Sequence, residues 1–182
     1  SWYGTEFRVQ RLDGSWRDVD DRARIQRRRD GTALRVIGTI HDVTEHKKAE
    51  RDVRRGQQQL ELLSDTVPAL ISYIGTDRCY RTCNAEYSKW FGLAREDLVG
   101  RSVREVLGAD AWRAVGPHIE QAFAGQPSEY ETEVDYRHGG RRSIHARYTP
   151  HRDGTGEVVG VVCLVTDITT RMRASHARAR LA

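Results

Sequence analysis

The residues Val158 to Val165 are apolar or glycine without a break, and a run of that kind predicts a strand covered on both faces. The stretch SEYETEVDYR before it alternates instead: Tyr130, Thr132, Val134 and Tyr136 fall on one face, and Glu129, Glu131, Glu133 and Asp135 on the other. The intervening strand sets Ile144, Ala146 and Tyr148 opposite Ser143, His145 and Arg147. Pairing these strands brings an acidic outer row against a basic one, giving exposed ion pairs of modest strength. The acidic row therefore reads as a solvated face rather than a metal site.

Further upstream, VPALISYIG predicts a short apolar strand and RCYRTC its hairpin partner. NAEYSKWFG reads as a short helix, with Asn84 placed to cap it and Gly92 to end it. Short helical turns follow in AREDLVGRSVREVLG, closed by Gly100 and Gly108. ADAWRAVGPHIEQAFAG predicts a longer amphipathic helix with Trp112, Val115, Ile119, Ala122 and Phe123 on one face and Gly125 as its stop. Pro117 ordinarily starts or breaks a helix, which leaves the setting of His118 open.

The chain repeats an order of parts. A glycine turn, an alternating strand, an Asp-Gly turn (Asp30-Gly31, Asp153-Gly154), an apolar strand, an Asp-β-branched-Thr triplet and a polar helix start occur in residues 11–50 and again in 136–175. Asp-Gly is a hairpin signal because glycine tolerates positive φ. The triplets fall where a strand hands over to a helix, so Asp42, Thr44, Asp167 and Thr169 are candidates to cap exposed N–H groups and to complement the helix dipole.

Between the copies, Ala49, Val53, Gly56, Leu60, Leu63 and Val67 recur at spacings of four, three, four, three and four. That is the seam of a two-stranded coiled coil, and it predicts a parallel dimer. An amphipathic helix folded against its own domain is the alternative. Gly56 at a seam position lowers helix propensity by about 1 kcal/mol and makes a soft point.

Composition narrows the function classes. The 182 residues suffice for one domain plus part of another. Thirty basic residues stand against 26 acidic ones for a net charge of +4, with the signs interleaved. Nucleic acid is therefore not an expected partner, and the densest basic cluster, RIQRRRDG, reads as a solvated strand end. Cys79, Cys83 and Cys163 form no metal-ligand spacing and no disulfide framework, which fits reduced thiols and a cytoplasmic location. No apolar stretch reaches the ~20 residues a membrane helix needs, and the start carries no signal-peptide pattern. The lack of an initiator methionine points to an excised fragment. Neither a phosphate-binding glycine loop, nor H-E-x-x-H, nor a nucleophile elbow, nor a phosphoacceptor motif around His41, His46 or His176 occurs, so no catalytic residue and no metal site is expected.

NAEYSKWFG with EDLVGRSVREVLG resembles the core signature of the PAS family, and HRDGTGEVVGVVCLVTDITTR resembles its C-terminal motif. The resemblance implies an α+β PAS fold: a five-stranded antiparallel sheet with short helices on one face. It implies the following division: residues 1–44, the terminal strands of a truncated PAS domain; 45–66, a linker helix; 67–170, a complete PAS domain; 171–182, the start of an output helix. It further implies a sensory and dimerisation module whose triplet aspartate ties the strand end to the domain, a homodimer through the linker helix and the sheet face, and a cavity between sheet and helices for a small-molecule ligand. Candidates for the cavity wall are Phe91, Trp112, His118, Tyr130, Thr132, Val134, Tyr136, Ile144, Ala146 and Tyr148; the competing reading is that they fill a core. The cofactor is unknown. No motif of the flavin photoreceptor subclass is present, so flavin photochemistry is not expected, and haem at His118 is a minor alternative. An effector such as a histidine kinase, a diguanylate cyclase or a PPM-type phosphatase is expected outside the chain.

Overall fold

Alternating and β-branched segments at the start of the chain form β1 (Trp2–Gln10), β2 (Trp16–Arg27) and β3 (Ala33–Asp42), an antiparallel sheet in that order. Helix α1 (Thr44–Thr66) follows. Beyond it come β4 (Leu70–Gly75), β5 (Tyr80–Cys83), α2 (Ala85–Phe91), α3 (Arg95–Leu98), α4 (Val103–Leu107), α5 (Ala109–Phe123), β6 (Ser128–Tyr136), β7 (Gly140–Arg152), β8 (Val158–Asp167) and α6 (Thr169–Ala179). The last five strands make one antiparallel sheet in the order β5-β4-β8-β7-β6. This computed structural model describes residues 2–136 and 140–179. The second glycine turn expected from the sequence, and the end of the output helix, lie partly outside the described residues. Two units emerge, Ser1–Leu60 and Glu61–Ala182. Among the described residues no helix is long and apolar enough to cross a membrane.

The repeat is structural as well as sequential. A fixed offset of 125, the difference between 144 and 19 and between 167 and 42, carries the pairing Val19 with Asp42 onto Ile144 with Asp167. The same offset carries Thr5 with Asp21 onto Tyr130 with Ala146. Even the register shift recurs, between Gln26 and Arg27 and between His151 and Arg152. Both expected hairpins form, β2–β3 and β7–β8, and only the turn glycine of the second differs from the sequence reading. Both turns are closed five-residue loops, Arg28 donating to the Thr32 carbonyl and Asp153 to that of Glu157. The fourth loop position takes positive φ, at Gly31 (86°) and Gly156 (88°). Asp-Gly coincides with that position only in the first copy. In the second, the Asp153 carboxylate accepts the Thr155 and Glu157 N–H groups while Gly156 makes the turn.

In the second unit the core lies between the sheet and α2 to α5, built on Leu70, Ile74, Leu98, Val115, Ile119, Ile144 and Val161. Strand β8 turns Val161, Cys163 and Val165 inward. Its outer residues Val162 and Leu164 remain 43% and 37% exposed, so within this unit the described residues cover only one face of the strand. Outside, Arg147 and His145 pair with Glu129, and Arg141 with Glu133.

Three local details follow, and one of them, at Asn84, overturns the sequence reading. Helix α5 runs unbroken through Pro117. Gly116 before it lets the Trp112 indole lie on the backbone, since a Cβ there would sit 2.8 Å from Trp112 Cε2. Asn84 does not cap α2: its buried side chain donates to the Ser64 and Ala69 carbonyls, each at 2.8 Å, and accepts from the Ile71 N–H at 3.0 Å. The Asp65 carboxylate caps α2 instead, accepting from the Ala85 N–H at 2.8 Å and pairing with Arg95. Finally, α1 ends at Thr66, which leaves Val67 one residue past the helix.

Candidate functional site: a strand-to-helix joint and the core beneath it

The second triplet closes β8 and opens α6 through a small hydrogen-bonded knot. Asp167 Oδ1 accepts from the Thr169 N–H at 2.8 Å, which satisfies an otherwise open donor at the helix start. Thr169 Oγ1 accepts from the Ser143 N–H at 2.9 Å, and Ile168 donates to the Ser143 carbonyl, which ties the junction to β7. The other Asp167 oxygen binds Arg142 Nη1 at 2.5 Å. Burial pushes the Asp167 carboxyl up, but the Thr169 hydrogen bonds and the Arg142 guanidinium outweigh it, so the group sits below its ordinary value.

The first triplet is built the same way. Asp42 Oδ1 accepts from the Thr44 N–H at 3.0 Å, Thr44 Oγ1 accepts from the Asp18 N–H at 2.9 Å, and Val43 donates to the Asp18 carbonyl. Arg17, the counterpart of Arg142, stands 3.8 Å from Asp42. The four predicted relay residues thus come together as two separate joints. The sequence reading missed the arginines, although the offset that aligns the triplets also aligns Arg17 with Arg142.

Arg142 connects the second joint to the core. Its guanidinium lies 4.2 Å over the Trp90 ring of α2, a cation–π geometry. Trp90 meets Tyr136 edge-on at 5.6 Å, Tyr136 meets Phe91, and Phe91 stacks on Tyr87. Tyr87 packs against Tyr80 and donates to Ser72 Oγ at 2.8 Å. Within this core lies a cavity of about 20 Å³, bounded by Tyr80, Tyr87, Tyr136, Tyr148, Ile119 and Cys163 among others. That is room for about one water molecule.

Of the predicted wall residues, Tyr136 and Tyr148 border this space. Phe91, Val134, Ile144 and Ala146 are buried in the core around it. Trp112 and Tyr130 are half-buried at its edge, and Thr132 is half-exposed further along β6. His118 stacks on Tyr130 with ring centroids 3.5 Å apart and holds Nδ1 2.9 Å from Ser128 Oγ. Tyr80, Tyr87 and Ser72 went unrecognised because they lie on short elements without a long period. Burial raises the phenols of Tyr80, Tyr87, Tyr136 and Tyr148 and pushes the Cys163 thiol up to about 12, with a Ser72 hydrogen bond opposing the latter. These four phenols and the Cys163 thiol therefore stay uncharged at neutral pH. Among the described residues no cluster of three His, Cys, Asp or Glu side chains could hold a metal.

The predicted seam lies on a helix with no buried residue, and Val53, Leu60 and Leu63 are all more than half exposed.

This sheet order, the helices on one face and the strand-to-helix joint define a PAS fold, and residues 64–173 match the PAS fold family; the chain belongs to it. It is a PAS sensor domain, preceded by a three-stranded sheet, and related to those of bacterial two-component sensors and diguanylate cyclases. The two-component sensor PprA of Pseudomonas aeruginosa is 26% identical over 177 residues, which cover 94% of this chain and 19% of PprA. The probable diguanylate cyclase DgcE of Escherichia coli is 24% identical over 168 residues, 90% of this chain and 15% of that protein. The chain thus spans about a fifth or less of these larger signalling proteins. Among solved structures, a PAS domain from Colwellia psychrerythraea superposes with a TM-score of 0.53 at 18% identity, over 63% of this chain and 98% of that one. An RNA-binding light-oxygen-voltage receptor gives 0.54 at 11% identity, over 100% of this chain and 81% of that one. At such identities these two likenesses concern the fold alone.

Proposed function

We propose that this chain is a sensory and relay module of a larger bacterial signalling protein, dimerising through α1 and the outer sheet face and passing changes in its PAS core to α6. The observation that carries this reading is the joint itself. One carboxylate, Asp167, holds both the first N–H of the outgoing helix and an arginine stacked on a core aromatic. Displacement of Trp90 or Tyr136 then alters the capping of α6. Dimerisation is supported by the exposed stripe of α1 and by the half-exposed Val162 and Leu164 of β8. Effector activity, whether histidine kinase, diguanylate cyclase or phosphatase, belongs to other parts of such a protein.

A ligand-free relay with a filled core is the second reading, favoured by the 20 Å³ interior. A small molecule would enter only with movement of the tyrosine rings. Native mass spectrometry and an absorption scan of the purified chain separate the two: a retained ligand or chromophore supports the sensor, and its repeated absence supports the filled relay. Sedimentation tests the dimer. Leu60→Asp with Leu63→Asp should convert a dimer to a monomer, and a wild-type chain that is monomeric at every concentration sinks the dimer. In the full-length protein, Asp167→Ala should uncouple output from the sensor while the core stays folded; unchanged output refutes the relay.

A further inference from the structure

A cleft of about 180 Å³ lies between β6, the start of β7 and the first turn of α6. At ~30 Å³ per water molecule, that is room for a phosphoryl group and a few further atoms. Three guanidinium groups line it, those of Arg141, Arg142 and Arg173, against the single carboxylate of Glu133. Arg141 is paired with Glu133 and Arg142 with Asp167, whereas Arg173 has no ion-pair partner among the described residues. Ser143 and Thr169 add hydroxyl groups, and Met172 an apolar wall. Because Thr169 opens α6, the cleft also lies at the positive end of that helix dipole.

The first joint holds a carboxylate at the corresponding place. At the 125-residue offset Ser143 aligns with Asp18, Thr169 with Thr44 and Arg173 with Lys48. The backbone frame is the same, since Thr44 Oγ1 accepts from the Asp18 N–H as Thr169 Oγ1 does from Ser143. The Asp18 side chain is only 13% exposed and binds Arg51 of α1 at 3.1 Å. The first joint thus carries its own anion against a cation of the outgoing helix, while the second keeps cations around a serine. We infer that the cleft binds a phosphate group, free or carried by a small molecule, whose oxygens take the place of the Asp18 carboxylate between Ser143, Arg173 and the Arg141–Arg142 pair. Three guanidinium groups offer more N–H donors than the about four acceptor sites of a carboxylate can use. Their forked geometry matches phosphoryl oxygens. The organic part of an ester lies against Met172. Arg142 is then shared between the ligand and Asp167, which sets the phosphate beside the cap of α6.

Titration of the 182-residue chain with inorganic phosphate and with glycerol phosphate tests the inference, with sodium chloride holding the ionic strength constant and arginine side-chain N–H signals followed by NMR. Both anions should bind saturably. Tighter binding of the ester assigns the site to an organic phosphate, and equal binding assigns it to the free ion. Arg173→Gln, at an exposed helix position, should weaken binding at least about tenfold without loss of folding, because it removes one charge-assisted contact. Ser143→Asp, which installs the carboxylate of the first joint, should abolish binding. Shifts that rise linearly with anion concentration, or an affinity that Arg173→Gln leaves unchanged, overturn the site. Neither result depends on whether α6 relays a signal.

Discussion

Replacing Asp167 by alanine removes two interactions of different kinds, and their sizes can be assigned separately. The capping bond to the Thr169 N–H contributes about 1 kcal/mol. The pair with Arg142 has both side chains close to 30% exposed, so solvent screens it to roughly 1 kcal/mol despite its short geometry. The substitution should cost about 2 kcal/mol in denaturant unfolding, or roughly 6–10 °C in Tm for a unit of this size. Arg142→Ala alone loses the ion pair and the contact with Trp90 but keeps the cap. A double-mutant cycle between the two sites should return a coupling of about 1 kcal/mol. The equivalent cycle at Arg17 and Asp42 should return less, because that pair is 3.8 Å apart and more exposed. Additive losses at Asp167 and Arg142, with coupling below a few tenths of a kcal/mol, would refute the argument that the joint acts as one unit.

Asn84→Ala strands the Ile71 N–H and two carbonyls in a buried setting and should cost about 3 kcal/mol; a loss under 1 kcal/mol by urea titration would mean that these groups find other partners. Gly116→Ala should destabilise by about 1–3 kcal/mol through overlap with Trp112. In a Trp112→Leu background the same change should become stabilising by about 1 kcal/mol, since alanine is the better helix former; the same sign in both backgrounds would remove the steric explanation. The Asp167 carboxyl is held below 3.8 in the folded chain, so its contribution is complete above that value and disappears as pH falls through the lower folded one. The stability gap between wild type and Asp167→Asn should therefore be flat from about pH 7 to 5 and shrink in acid; a gap that widens in acid reverses the sign.

What could be read along the chain was whatever depends on near neighbours. Tyr130 to Tyr136 alternate because side chains on a strand alternate, and the acidic row duly meets the basic one. The triplets were legible because capping by Asp167 and Asp42 spans two residues. Asn84 misled for the same reason: its place before a helix suggested a cap, while its actual partners, Ser64, Ala69 and Ile71, lie 13 to 20 residues away. Asp-Gly in the second hairpin misled because loop geometry, not the dipeptide, chooses which residue takes positive φ.

By itself, then, the sequence determined the strands, the helices, the repeat and both strand-to-helix joints, all consequences of period and local hydrogen bonding. Tertiary structure alone decided that Cys163 faces inward, that Asp65 caps α2, that Arg142 lies between Asp167 and Trp90, and that the tyrosine rings close on a cavity of about 20 Å³. Each of those depends on packing between segments far apart in the chain, where burial and close contact select one arrangement from many that the local pattern permits equally.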